Sequence, residues 1–84
     1  MQEATTNTTT TAAPSFAVDW DAGHMGCGEV LIQLKLRFRP LQTGDLFRLI
    51  TRDIAAPLEI PAWCRVTKRQ LIHAEHPEYW IEQK

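Results

Sequence analysis

A threonine-rich opening sets how much of this chain can build a core. Residues 1–15 contain Thr5, Thr6 and the run Thr8–Thr11, with Glu3 as their one charge. The segment has little to bury and no period, so it reads as a disordered tail. Residues 16–84 remain as a single domain, close to the lower size at which one hydrophobic core holds unaided. On so small a scaffold a functional site is shallow. A residue shown to a partner protein fits better than a deep enzyme pocket.

Charge and cysteine usage narrow the classes further. A net charge of −1 and a pI of about 6.3 give no basic field for nucleic acid. The longest apolar stretches, such as Val30–Ile32, are far too short to span a membrane. The first residues lack the basic and apolar regions of an export signal. Two cysteines allow one disulfide at most, a sparse framework for a secreted domain. The chain therefore reads as cytoplasmic, with both thiols reduced.

Along the domain, Phe16–Trp20 alternates and predicts a short strand with Phe16, Val18 and Trp20 on one side. A turn-like stretch, Asp21–Gly28, follows, with His24, Met25 and Cys27 among its glycines. Residues 27–41 fit two periods. With period two, Val30, Ile32, Leu34, Leu36 and Phe38 share a face. With period 3.6, Cys27, Val30, Leu31, Leu34, Phe38 and Leu41 form one apolar arc. Periodicity alone does not choose between them, although the segment is long for a strand. Pro40 and Thr43-Gly44 end either element. Leu46–Thr51 predicts a buried strand. Ala55–Thr67 places Leu58, Ala62, Trp63 and Val66 at helical spacing, with Pro61 either starting or kinking the helix. Gln70–Glu75 and Glu78–Glu82 predict a hairpin turning at His76-Pro77.

One family shares these landmarks. Asp21-Ala22, Cys27-Gly28-Glu29-Val30, Gly44 seventeen positions after the cysteine, Asp53, and Ile60-Pro61-Ala62-Trp63-Cys64 stand in register with its signature. Over residues 16–84 the chain resembles the TusA/SirA-like sulfur carriers. The resemblance implies a helix directly after Cys27. It also implies a two-layer α/β sandwich of order βαβαββ, with two helices on one face of a four-stranded mixed sheet. The family opens that helix with Cys-Pro-x-Pro; here Gly28 and Val30 stand in place of both prolines, and His24-Met25-Gly26 replaces Gly-Leu-Arg. The chain thus reads as a divergent member.

Cys27 is the candidate catalytic residue. At a helix N-terminus among glycines, a thiol is expected to be open to a partner and more acidic than usual, as a persulfide carrier requires. The plainer alternative is a buried small apolar residue. His24 could support the sulfur by a hydrogen bond, Gly28 could leave the approach clear, and Asp53 could cap the second helix. Glu29 suits the first helical turn. Cys64 reads as a core thiol, or as a resolving partner if its Cα comes within about 7 Å of that of Cys27. His24/Cys27 and His73/His76 form no four-ligand zinc pattern, so no metal or cofactor is expected. Arg65, Lys68 and Arg69 suit a helix C-terminus.

If residues 28–39 are helical, Ile32 and Leu36 point away from the buried arc, beside Lys35 and Arg39. These four would form a partner-docking spot adjacent to Cys27. The resemblance implies a carrier relaying persulfide sulfur on Cys27, more a sulfurtransferase-like relay than a turnover enzyme. Its donor would be a cysteine desulfurase or rhodanese, and its acceptor a sulfur-modifying or sulfur-oxidising protein. The rivals are a non-catalytic interaction module on the same fold and a thiol-redox regulator using Cys27 and Cys64.

Overall fold

A computed structural model describes residues 15–84. The sequence reading of a disordered tail falls almost wholly on residues 1–14, outside the described part. The elements run β1 (Val18–Asp21), α1 (Cys27–Phe38), β2 (Leu46–Ile50), α2 (Ala56–Thr67), β3 (Gln70–Glu75) and β4 (Glu78–Glu82). The order is βαβαββ. The four strands form one mixed sheet in the order β1-β2-β4-β3. β1 and β2 are parallel, while β4 is antiparallel to both β2 and β3. Among the described residues no helix is long and apolar enough to cross a membrane.

Strand alternation sorts the side chains into two faces. Phe47 and Leu49 of β2, with Tyr79 and Ile81 of β4, are buried against the helices, and Val18, Trp20 and Leu71 pack at the margin. From α1 come Cys27, Val30, Leu34 and Phe38; from α2 come Ala56, Ile60 and Cys64. Phe38 stacks on Phe47 with ring centroids 4.8 Å apart, joining α1 to the sheet. Asp19, Arg48, Glu78 and Trp80 occupy the other face. There Arg48 donates to both Asp19 and Glu78, and Trp80 Nε1 donates to Glu78.

The helical period prevails over the alternating one in residues 27–38. Leu31 and Leu41 of the expected arc are half-buried, and the helix stops at Phe38, just before Arg39-Pro40. Gly44, at φ +92°, makes the turn into β2, a backbone state that side chains disfavour.

Three expectations change. Phe16 lies outside β1, and its ring meets Trp80 edge-on at 5.3 Å, on the face opposite Val18 and Trp20. The helix α2 does not start at Pro61: it begins at Ala56 and runs on through Pro61 to Thr67. The missing Pro61 N–H would have met the Pro57 carbonyl in the first turn, at an exposed residue. Finally, Leu58 and Val66 lie outward, because the core is filled by the parallel series Ala56, Ile60 and Cys64.

Candidate functional site

Four segments meet at the end of the sheet where the parallel pair β1/β2 finishes. After β1, Asp21 Oδ1 accepts the Gly23 N–H at 2.8 Å, with Gly23 at φ +59°. This tight turn leads through Met25 to Cys27, the first residue of α1. After β2, Arg52 N–H donates to the Gly23 carbonyl at 2.8 Å, and Thr51 N–H donates to the Pro77 carbonyl at 2.9 Å. The β1–α1 loop, the β2–α2 loop and the β3–β4 turn are thereby tied together. The start of α2 is the fourth segment. Side chains carried to this end include Cys27, Thr51, Asp53, His76 and Tyr79.

Cys27 sits less freely than its glycine neighbours suggest. Only 8 % of it is exposed, because it belongs to the buried face of α1, and Met25 packs on the core two residues before it. Its thiol is raised above the ordinary range, first by burial and then by the carboxylates of Asp53 and Glu59. This corrects the expectation of an open, acidified thiol. The helix N-terminus favours a thiolate, but desolvation and two nearby negative charges act against it.

Asp53 serves the loop in a different way from a helix cap. The residue at the cap position is Ala55, which offers no side-chain acceptor. Asp53 Oδ2 accepts the Ala55 N–H at 3.1 Å, closing an Asx turn just ahead of the helix. The intervening Ile54-Ala55 pair moves the helix start beyond a direct cap. His24 is exposed, and among the described residues no hydrogen bond joins it to Cys27. Gly28 has open space where a Cβ would stand, so its approach is clear.

Of the docking residues, Ile32 and Leu36 are 60 % and 45 % exposed, with Lys35 and Arg39 also exposed. They do not adjoin Cys27. At 1.5 Å per residue they lie roughly 8 Å (Ile32) and 14 Å (Leu36) along the axis from it. The patch is one to three turns farther along the same helix.

Sequence reasoning missed Tyr79, His76 and Glu59 at this end. Tyr79 is buried, and its hydroxyl shares a 2.7 Å hydrogen bond with His76 Nδ1. Burial raises the Tyr79 phenol, and so does the neighbouring Cys27. The alternation of β4 already puts Tyr79 on the side of Ile81, but nothing local says that its ring ends near a cysteine fifty-two positions earlier. His73 instead packs its ring on Trp80 at 4.4 Å, away from His76. Among the described residues no three His, Cys, Asp or Glu side chains gather as a metal site. Cys64 is buried in the core, and both thiols are free. Arg69 is packed over Phe38 and Trp63 and donates to Gln83, so it is held by the fold.

The charges around Cys27 give a direct expectation. Asp53→Asn removes one carboxylate while its amide oxygen can still accept the Ala55 N–H. The Cys27 pKa should fall, and alkylation at neutral pH should quicken by roughly 2–5-fold, less than one full pKa unit. Glu59→Gln should act in the same direction. Rates identical to wild type in both variants would show that neither charge reaches the sulfur. No protein-family model matches the chain.

Proposed function

We propose that this protein is a small sulfur carrier of the TusA/SirA-like kind, holding a persulfide on Cys27. The observation that carries the reading is the place of that residue. Cys27 is the first residue of α1, at the end of a parallel strand pair, in the βαβαββ order that the resemblance implies. In the transfer, the Cys27 thiolate attacks the outer sulfur of a donor persulfide. A new S–S bond forms on Cys27 as the donor's S–S bond breaks, and the donor leaves as a thiolate that takes up a proton. Delivery to the acceptor repeats the step with Cys27 as the leaving thiolate. The raised thiol makes proton loss from Cys27 the demanding part of loading.

A second reading has its own support. The near-burial of Cys27 and its raised thiol suit an interaction module that kept the fold and lost the transfer chemistry. Intact mass after incubation with a persulfide donor separates the readings. A gain of one sulfur atom supports the carrier. An unchanged mass supports the module, and loss of two hydrogens supports a Cys27–Cys64 redox switch.

The outer face of α1 is the proposed docking surface for the donor or acceptor, an apolar spot beside Lys35 and Arg39 that suits an acidic partner surface. Ile32→Ser with Leu36→Ser should change stability by no more than about 1 kcal/mol, since both sites are exposed. Sulfur transfer should slow by roughly tenfold if the pair anchors a partner. Unfolding and transfer measured on the same double variant would decide; a large stability loss, or unaltered transfer, removes the docking role.

A further inference from the structure

The helices cover one face of the sheet, and the other face stays outside the core. Its charge is lopsided. The carboxylates of the four strands, Asp19, Asp21, Glu75, Glu78 and Glu82, all belong to the uncovered face by strand alternation and register. Among the described residues, Arg48 is the only lysine or arginine within a strand. The chain's net charge of −1 therefore conceals a sheet face that is strongly negative.

That sign narrows what can dock. The same face of a second copy, a nucleic acid or an anionic membrane would be repelled. The helix layer of another copy joins unlike surfaces, a contact that gives rings or open filaments and no closed pair. A cationic partner suits the face, and Arg48 already shows the chemistry: it donates to Asp19 at 2.9 Å and to Glu78 at 2.8 Å. One row of the sheet keeps carboxylates beyond that reach. From β1 to β3 it runs Asp21, Ile50, Glu78, Glu75. Glu75 is directly opposite Glu78, a like-charged pair that costs a sheet stability. The Glu75 side chain is 84 % exposed, and His73 Nε2, 3.8 Å away, offsets it only when protonated.

We propose that this row receives a basic segment of a partner protein, laid extended across the strands. One cation meets Asp21, a second meets Glu75 and Glu78, and an apolar side chain between them rests near Ile50. Neighbouring strands are about 4.8 Å apart, so the row is about 14 Å long, the length of roughly four extended residues. The two cations are therefore four residues apart in the partner, with the apolar residue midway, all three pointing to the same side. The inference stands apart from the sulfur reading, because it uses neither cysteine.

Chemical-shift titration of the isotope-labelled full chain with the capped synthetic peptide Gly-Lys-Thr-Val-Thr-Lys-Gly tests it. Saturable shifts are expected at Asp21, Ile50, Glu78 and Glu75, weakening as salt is raised. Asp21→Asn keeps an acceptor for the Gly23 N–H and should weaken binding about twofold. Glu75→Lys should weaken it by about fivefold. The same substitution replaces a like-charged cross-strand pair with an opposite one, so its urea midpoint should rise. Weaker binding by a more stable protein cannot come from damage to the fold. The peptide Gly-Thr-Lys-Lys-Val-Thr-Gly, of equal composition with adjacent lysines, should bind less tightly. Shifts confined to the helices, no saturable shift, or undiminished binding by Glu75→Lys would overturn the proposal. So would self-association of the unmixed chain through this face, or equal shifts from spermidine, which would assign the face to a free polyamine.

Discussion

Replacing Cys27 with alanine is expected to abolish uptake of a sulfur atom from a donor persulfide, while Cys64→Ala leaves uptake intact. The contrast comes from where the two thiols lie. Cys27 is at the mouth of α1 with 8 % of its surface still exposed; Cys64 is 2 % exposed, inside the α2–sheet contact. Attack on a persulfide needs both a thiolate and a path to it. Burial raises both thiols, but Cys64 goes higher, to about 11, even with Arg69 and Arg65 pulling it down. Peptide mapping after loading checks the result. Sulfur on Cys64 in place of Cys27 would remove the carrier site, and loading of the Cys27→Ala variant would remove it equally. Because the raised Cys27 thiol limits thiolate at neutral pH, the loading rate should keep climbing past the pKa of an ordinary cysteine, about 9.

The sequence disclosed the layers better than it disclosed the surfaces. In α1 the alternating pattern was an accident of two outward residues: Ile32 and Leu36 supply the extra apolar positions, and exposure of 60 % and 45 % shows that they take no part in the core. Resemblance to a family chose the helix where periodicity could not. The α2 segment misled for a related reason. It is apolar on two opposite sides, so Leu58, Ala62 and Val66 form as regular a series as Ala56, Ile60 and Cys64. Which series faces the sheet depends on what the sheet offers, a tertiary matter. Cys27 was legible as the first residue of a helix and as a member of its apolar arc, but the groups that raise its thiol were not. Its surroundings are set by Asp53, Glu59 and Tyr79, twenty-six to fifty-two positions away, and by the loop ties from Arg52 to Gly23 and from Thr51 to Pro77. The hairpin of β3 and β4 was the clearest feature, because proline and alternation act within a few residues.

Alkaline pH should loosen the fold, with Cys64 as a principal cause. Its thiol ionises near 9 when solvated and only at about 11 in the core. Between those values the unfolded chain has lost the proton and the folded one has kept it. The unfolded state therefore binds fewer protons, and stability falls as pH rises. The contribution is intact below about pH 9 and is lost as pH climbs through 11, amounting to something on the order of 2–3 kcal/mol. Cys27 and Tyr79, both raised by burial, add in the same direction. A domain of this size has a total stability of only about 4–10 kcal/mol, so the loss is a large share of it. Urea midpoints measured at about pH 8 and about pH 10.5, for wild type and for Cys64→Ala, isolate the cysteine. The variant begins less stable because it leaves a small void, yet it should lose less between the two conditions, so the curves converge. Equal losses in both proteins would mean that the Cys64 thiol is not the group resisting ionisation.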